Sequence, residues 1–248
     1  MNLKKYIAKH IKDLKIKRGD NVCVHANLSR FGISNNKLPL IIIKGILAKI
    51  GTQGTLCMPC YNFNLNNNKV YDPNKFYNKG NSLLYKTFFN KFKTFVSNKI
   101  IHRHACVGKK AYLLGGNKEI SCFGKKSDFE FFFKNNFKIL LLGCEPSEGL
   151  TYFHHLEKLV NVNYRKDIQL KILIKKNKSI NITNLKYFAL KNRSVKNNFN
   201  LFFNKLDIQY YKIPIKYGFS YCINLNLLHQ ASMLKLKKNL NSLIKNVH

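Results

Sequence analysis

The segment Thr151-Tyr-Phe-His154-His-Leu-Glu157 places an imidazole and a carboxylate three residues apart. On a helix that spacing puts both on one face, close enough for the carboxylate to fix the imidazole tautomer and stabilise its protonated form. A histidine held this way is suited to act as a general base near neutral pH. Only 11 of the 248 residues are acidic, so a carboxylate falls at about one position in 22 and a chance pairing is uncommon. The competing reading is a His and a Glu on a solvated helix face.

The surrounding elements bear on that choice. Lys138-Ile-Leu-Leu-Leu-Gly143 is an apolar run between polar flanks, which predicts a strand buried on both faces and central in an α/β sheet. Cys144-Glu-Pro-Ser-Glu-Gly149 then forms a loop and Thr151 opens a helix. His154 and Glu157 therefore follow the C-terminal end of a strand, where α/β proteins gather their chemistry.

Upstream, residues 3–14 carry apolar groups at helical spacing, and residues 21–25 read as a strand running into the loop Ala26-Asn-Leu-Ser-Arg-Phe-Gly32. Residues 38–50 read as a buried helix stopped by Gly51, and 55–58 as the next strand. Residues 62–81 are polar and Asn-rich, which predicts a long loop of the kind that closes over a ligand. Residues 82–95 are helical in pattern, 102–107 predict a strand, and Ser127-Asp-Phe-Glu130 offers a capping box. Further on, 168–174 predict a strand, the stretch to about 200 a Lys/Asn-rich connection, and 225–244 an amphipathic closing helix.

The formal net charge of +33 invites a nucleic-acid or anionic-membrane partner. The basic residues are spread along the chain rather than gathered in a stripe, and no helix-turn-helix, zinc-finger or RNA-binding signature is present. Abundant Lys, Asn, Ile, Phe and Tyr with no Trp instead match the codon bias of an A/T-rich genome. No apolar run reaches the roughly 18 residues of a membrane span, so membrane insertion is not expected. Seven cysteines, an odd number lying mostly in apolar stretches, predict buried thiols and a reducing cytoplasm. Cys57-Met-Pro-Cys60 has zinc-like spacing, with His102 and His104 or His154 and His155 as candidate nitrogen ligands, but no second Cys pair accompanies it and no metal is expected.

Several segments, in order and at similar spacing, resemble the aminoglycoside 3-N-acetyltransferase (antibiotic N-acetyltransferase) family. They are Arg18-Gly-Asp20, Val24-His-Ala-Asn-Leu-Ser-Arg-Phe-Gly32, Gly51-Thr-Gln-Gly-Thr-Leu-Cys-Met-Pro59, Tyr71-Asp-Pro73, Phe123-Gly-Lys-Lys-Ser-Asp-Phe129, Lys138-Ile-Leu-Leu-Leu-Gly143, Thr151-Tyr-Phe-His-His-Leu-Glu157 and Asn163-Tyr-Arg165. The resemblance implies one domain over residues 1–248 with a three-layer α/β/α sandwich and a mixed β-sheet, distinct from the GCN5-related fold. It implies acetyl-CoA as co-substrate and a small-molecule amine acceptor, an aminoglycoside or related amino sugar. His154 would be the catalytic base, Glu157 its partner and Thr151 a helix cap. His25, Asn27, Ser29, Arg30, Phe31 and Gly32 would line the acetyl-CoA site, with Arg30 facing a phosphate, and Asp72 would lie at the acceptor.

The family's His-Pro-x-x-Ser stretch corresponds to Ile101-His-Arg-His-Ala-Cys106, where either His102 or His104 stands in for the histidine. Three alternatives remain at this level. The acceptor is the amine of a nucleotide-linked or surface-polysaccharide sugar, the acetyl group passes through a cysteine, or a basic protein has kept only the scaffold.

Overall fold

The computed structural model describes residues 2–63, 70–116, 121–177 and 179–245. Part of the loop expected at 62–81, residues 64–69, lies outside them. The strands are β1 (Asn21–Ala26), β2 (Thr55–Pro59), β3 (Val70–Tyr71), β4 (Phe95–Val96), β5 (His104–Gly108), β6 (Phe137–Leu142), β7 (Arg165–Lys176), β8 (Ser179–Leu190), β9 (Tyr210–Ile215) and β10 (Gly218–Asn224). The helices are α1 (Leu3–Asp13), α2 (Leu38–Ile50), α3 (Leu83–Lys91), α4 (Ala111–Gly115), α5 (Asp128–Lys134), α6 (Pro146–Gly149), α7 (Tyr152–Leu159), α8 (Phe199–Asn204) and α9 (Leu225–Lys238).

Strand β6 is central as expected, parallel to β1 on one side and antiparallel to β10 on the other. Among the described residues the main sheet runs β4-β5-β2-β1-β6-β10-β9, a mixed sheet, and β3-β7-β8 form a second small sheet. Successive side chains of a strand point to opposite faces. Accordingly Ile139 and Leu141 join one core with α5, α7, α8 and α9, while Leu140 and Leu142 join another with α1, α2 and α3. Two cores on the two faces of one sheet make a three-layer α/β/α sandwich. Among the described residues no helix is long and apolar enough to cross a membrane.

Several local expectations shift. Residues 144–149 are not all loop, because Pro146 sits at the first turn of α6 and a Glu145/Glu148 capping box closes its start. Ser127 caps α5 through the Glu130 amide, but the Glu130 carboxylate accepts from Lys126 N instead of completing the box. The expected Lys/Asn-rich connection contains β8, paired with β7 along its length. Cys57 and Cys106 face each other across the β2–β5 ladder and are joined as a disulfide, so the seven cysteines are not all free thiols. Cys23, Cys60, Cys122, Cys144 and Cys222 are buried thiols.

Candidate active site

Helix α7 is delivered to the end of the central sheet by a short path. Strand β6 ends at Leu142, and Gly143 turns the chain with φ of 69°. That backbone suits glycine, and an added Cβ would lie 2.5 Å from Asn27 O. Gly149 lets α6 close onto the sheet, since a Cβ there would come within 2.6 Å of Leu141 Cδ2. Thr151 then starts α7 without a side-chain cap, contrary to the capping role expected of it.

Tyr152, Phe153 and Leu156 bury one face of α7, and Glu157 is buried with them. His154 Nδ1 donates to Glu157 Oε2 at 2.7 Å, with 21% of the His154 side chain exposed and none of Glu157. A carboxylate taken wholly out of water needs compensating donors. Tyr164 Oη donates to Glu157 Oε1 at 2.9 Å, and Arg165 Nε lies 2.7 Å from Oε2 as a charge contact rather than an aligned hydrogen bond. Glu157 is thus fixed from three sides, and the solvated-face reading of the pair does not apply. With Nδ1 committed, Nε2 is the ring atom of His154 left to accept a proton. The ring is flanked edge-on by Phe123 at 5.8 Å and Phe199 at 5.2 Å between centroids.

The two histidines at the head of β5 differ. His104 uses both ring nitrogens: Nδ1 pairs with Asp128 Oδ2 at 2.9 Å, and Nε2 accepts from Tyr61 Oη at 3.3 Å. Ser97 Oγ also donates to Asp128 Oδ2. His102 lies against Phe123 at 4.7 Å, the ring that also flanks His154. Burial first, then the fields of His154, His104 and Arg165, hold the His102 pKa well below the usual imidazole range. Neighbouring His155 is buried and structural, its Nδ1 accepting from Gly124 N at 3.1 Å.

A cavity of about 660 Å³ opens beside the C-terminal end of β1, and His25, Asn27 and Ser29 line it together with Asn35, Ser82 and Cys144. The other loop residues turn elsewhere. Arg30, expected to face a phosphate, is held by Glu148 through two bonds of 2.7 and 2.8 Å. Phe31 is buried in the core beside His10, and Gly32 ends the 3-10 turn in the left-handed region. Asp72 accepts from Asn74 N at 3.0 Å and faces Lys175 at 3.8 Å, so its recorded partners are local to its loop and β7.

Arg103 carried no sequence signal for the part it plays. Fully buried, it donates to Cys60 O, Pro73 O and Lys75 O, and it stacks on Tyr71, Tyr77 and Phe89 at 5.4 to 5.6 Å. It therefore ties the Asp72-Pro73 loop to the sheet. A buried guanidinium with carbonyl acceptors and aromatic walls has its desolvation offset by those contacts.

The family profile described as aminoglycoside 3-N-acetyltransferase matches residues 23–207, well over half of the chain. The chain belongs to the aminoglycoside 3-N-acetyltransferase family. By sequence, no functionally curated protein matches it. Among solved structures it is similar to the YokD protein from Bacillus subtilis, with 18% identity, a TM-score of 0.83, and 98% and 95% of the two chains covered. It is similar to AAC-IIIb, solved as a binary complex with CoASH, at 17% identity and a TM-score of 0.82 over 95% and 96% of the chains. It is also similar to AAC-VIa bound to sisomicin, at 14% identity and a TM-score of 0.82 over 95% and 97%. This acyltransferase family member thus shares its fold with those proteins at low identity.

Buried histidines make stability depend on pH. His10 is lowered to about 4, and His25 and His155 to about 3, chiefly by desolvation. In the unfolded chain each titrates near its ordinary 6.5. As pH falls below that value the unfolded state binds protons that the folded state refuses, so the stability contributed is complete above about 6.5 and is lost toward pH 4. The urea midpoint is expected to fall steadily from pH 7 to pH 4.5, and a flat midpoint across that window would contradict this account.

Proposed function

We propose that the chain transfers the acetyl group of acetyl-CoA directly to an amine of an aminoglycoside or related amino sugar within a ternary complex. His154 is the general base, Glu157 fixes its tautomer, and residues 1–248 act as one domain. The observation that carries this reading is the buried carboxylate of Glu157 holding His154 Nδ1 at 2.7 Å. The thioester is already activated, so the obstacle is an acceptor amine that is largely protonated near neutral pH. The ammonium first loses a proton to solvent, and His154 Nε2 then takes a second proton from the amine nitrogen as it bonds to the acetyl carbon. The tetrahedral adduct then expels the thiolate of CoA by breaking the C–S bond, and the imidazolium returns the proton to sulfur.

The cavity lined by His25, Asn27 and Ser29 suits the co-substrate in part. Its neutral polar and apolar walls fit the amide-bearing pantetheine arm, while Arg30 is committed to Glu148 and leaves the phosphates to other cations. The thiols argue against a cysteine intermediate. Cys144, on the cavity wall, is pushed up to about 12 by burial, as are Cys60 and Cys222, so none is an activated thiolate. Initial rates with both substrates varied test the direct route: intersecting lines are expected, and parallel lines would replace it with an acetyl-cysteine path.

A second acceptor class is favoured by the carboxylates. Those near the site are engaged, Glu157 by Arg165, Asp72 by Lys175, Asp167 by Lys158 and Asp128 by His104. A polycationic acceptor would compete with those partners. The amine of a nucleotide-linked or surface-polysaccharide sugar would not.

A further inference from the structure

His102 is 6% exposed, yet among the described residues its buried Nδ1 has no hydrogen-bond partner. Buried polar atoms are usually paired, so an unpaired one beside the base is a place where a bound group can supply the partner. Aromatic rings fix the plane of His102: Tyr61 at 5.0 Å, Phe63 at 5.6 Å and Phe123 at 4.7 Å. Tyr61 is itself held, because its hydroxyl donates to His104 Nε2 and His104 is anchored by Asp128. His104, with both nitrogens engaged, belongs to this supporting frame, whereas His102 keeps a nitrogen in reserve. Phe123 contacts both imidazoles, at 4.7 Å from His102 and 5.8 Å from His154 between centroids, so the His102 ring belongs to the neighbourhood of the base.

The chemistry available to His102 differs from that of His154. Held neutral by burial and by His154, it carries one N–H and does not take up a proton near pH 7. A neutral imidazole fixed in a water-poor site is a hydrogen-bond donor of the kind that stabilises a developing oxyanion.

We propose that His102 is a second catalytic residue, its Nδ1–H donating to the acetyl carbonyl oxygen as that oxygen gains charge in the tetrahedral adduct. This role rests on the acetyl-transfer reading of the site. His102 keeps its proton throughout: charge builds on oxygen while the C–N bond forms, and returns to the carbonyl as the C–S bond breaks and the thiolate leaves. His154 alone moves a proton.

His102→Phe preserves the ring and removes both nitrogens. The expected result is a kcat lower by about 100-fold, an unchanged dissociation constant for acetyl-CoA, and a thermal midpoint equal to or above that of the wild type, because an orphaned nitrogen has been removed. His102→Asn, which restores an N–H donor, is expected to recover part of the lost kcat. A His102→Phe protein that turns over like the wild type overturns the proposal. So does one whose loss of turnover is matched by a fall in thermal midpoint or acetyl-CoA affinity, since that is a packing role. A wild-type protein that binds acetyl-CoA but acetylates no amine overturns the acetyl-transfer reading and this role with it. That outcome is read from the wild type alone.

Discussion

Replacing His154 with alanine is expected to lower kcat/KM for acetyl transfer by roughly 10²- to 10⁴-fold, the usual worth of a positioned general base, while leaving the fold intact. The structure separates the two effects. His154 is partly exposed, and Glu157 keeps Tyr164 and Arg165 when the imidazole is gone. No buried charge is left uncompensated, so the stability change should stay within about 1 kcal/mol. Thermal unfolding and initial rates on the same preparation check both halves. Turnover at the wild-type level would remove His154 from the mechanism.

Glu157→Gln is expected to damage both activity and stability, and that contrast identifies what the carboxylate does. The change is nearly isosteric but deletes the charge that faces Arg165, whose side chain is 8% exposed. Breaking a buried ion pair by removing one partner costs about 3 kcal/mol or more, which for a chain of this size lowers the thermal midpoint by roughly 10 °C. At the same time an amide can present its N–H₂ to His154 Nδ1, which selects the opposite tautomer and leaves Nε2 protonated and unable to act as base. A fall in kcat of about 100-fold or more is expected from the lost general-base function. A Glu157→Gln protein with wild-type kcat and a lowered midpoint would show that the pair is purely structural.

Parts of the site were legible in the sequence because they depend on local pattern. The apolar run of β6 announced a buried central strand, and the three-residue spacing of His154 and Glu157 announced a shared helix face. The segment Asn163-Tyr-Arg165 was visible as a matching motif but had no assignable role, since Tyr164 and Arg165 reach Glu157 only once the chain turns back after α7. Arg103 and the His104–Asp128 pair were silent for a similar reason. Their partners are carbonyls and a carboxylate brought together by strand pairing and the packing of α5, and no spacing rule encodes such contacts.

The strands missed in the C-terminal third have particular causes. Strand β8 is exposed over most of its length and carries Asn and Lys where a half-buried strand would alternate. Strand β9 contains Pro214, which argues against a central strand and is tolerated because β9 is the edge of the sheet. The loop from Asn27 to Gly32 was correctly placed at the end of β1, yet its residues divide between cavity wall, ion pair and core. Direction of a side chain off a short turn depends on what packs against it, and Glu148 and His10 lie far away in sequence.

The most direct measurement is incubation of the purified protein with acetyl-CoA and a panel of aminoglycosides and nucleotide-linked amino sugars, followed by the mass of each amine and the CoA released. At least one amine is expected to gain a single acetyl group on nitrogen, with one CoA freed per product and the reaction abolished in His154→Ala. Acetyl-CoA left intact across the whole panel, or product formed equally well without His154, would contradict the account.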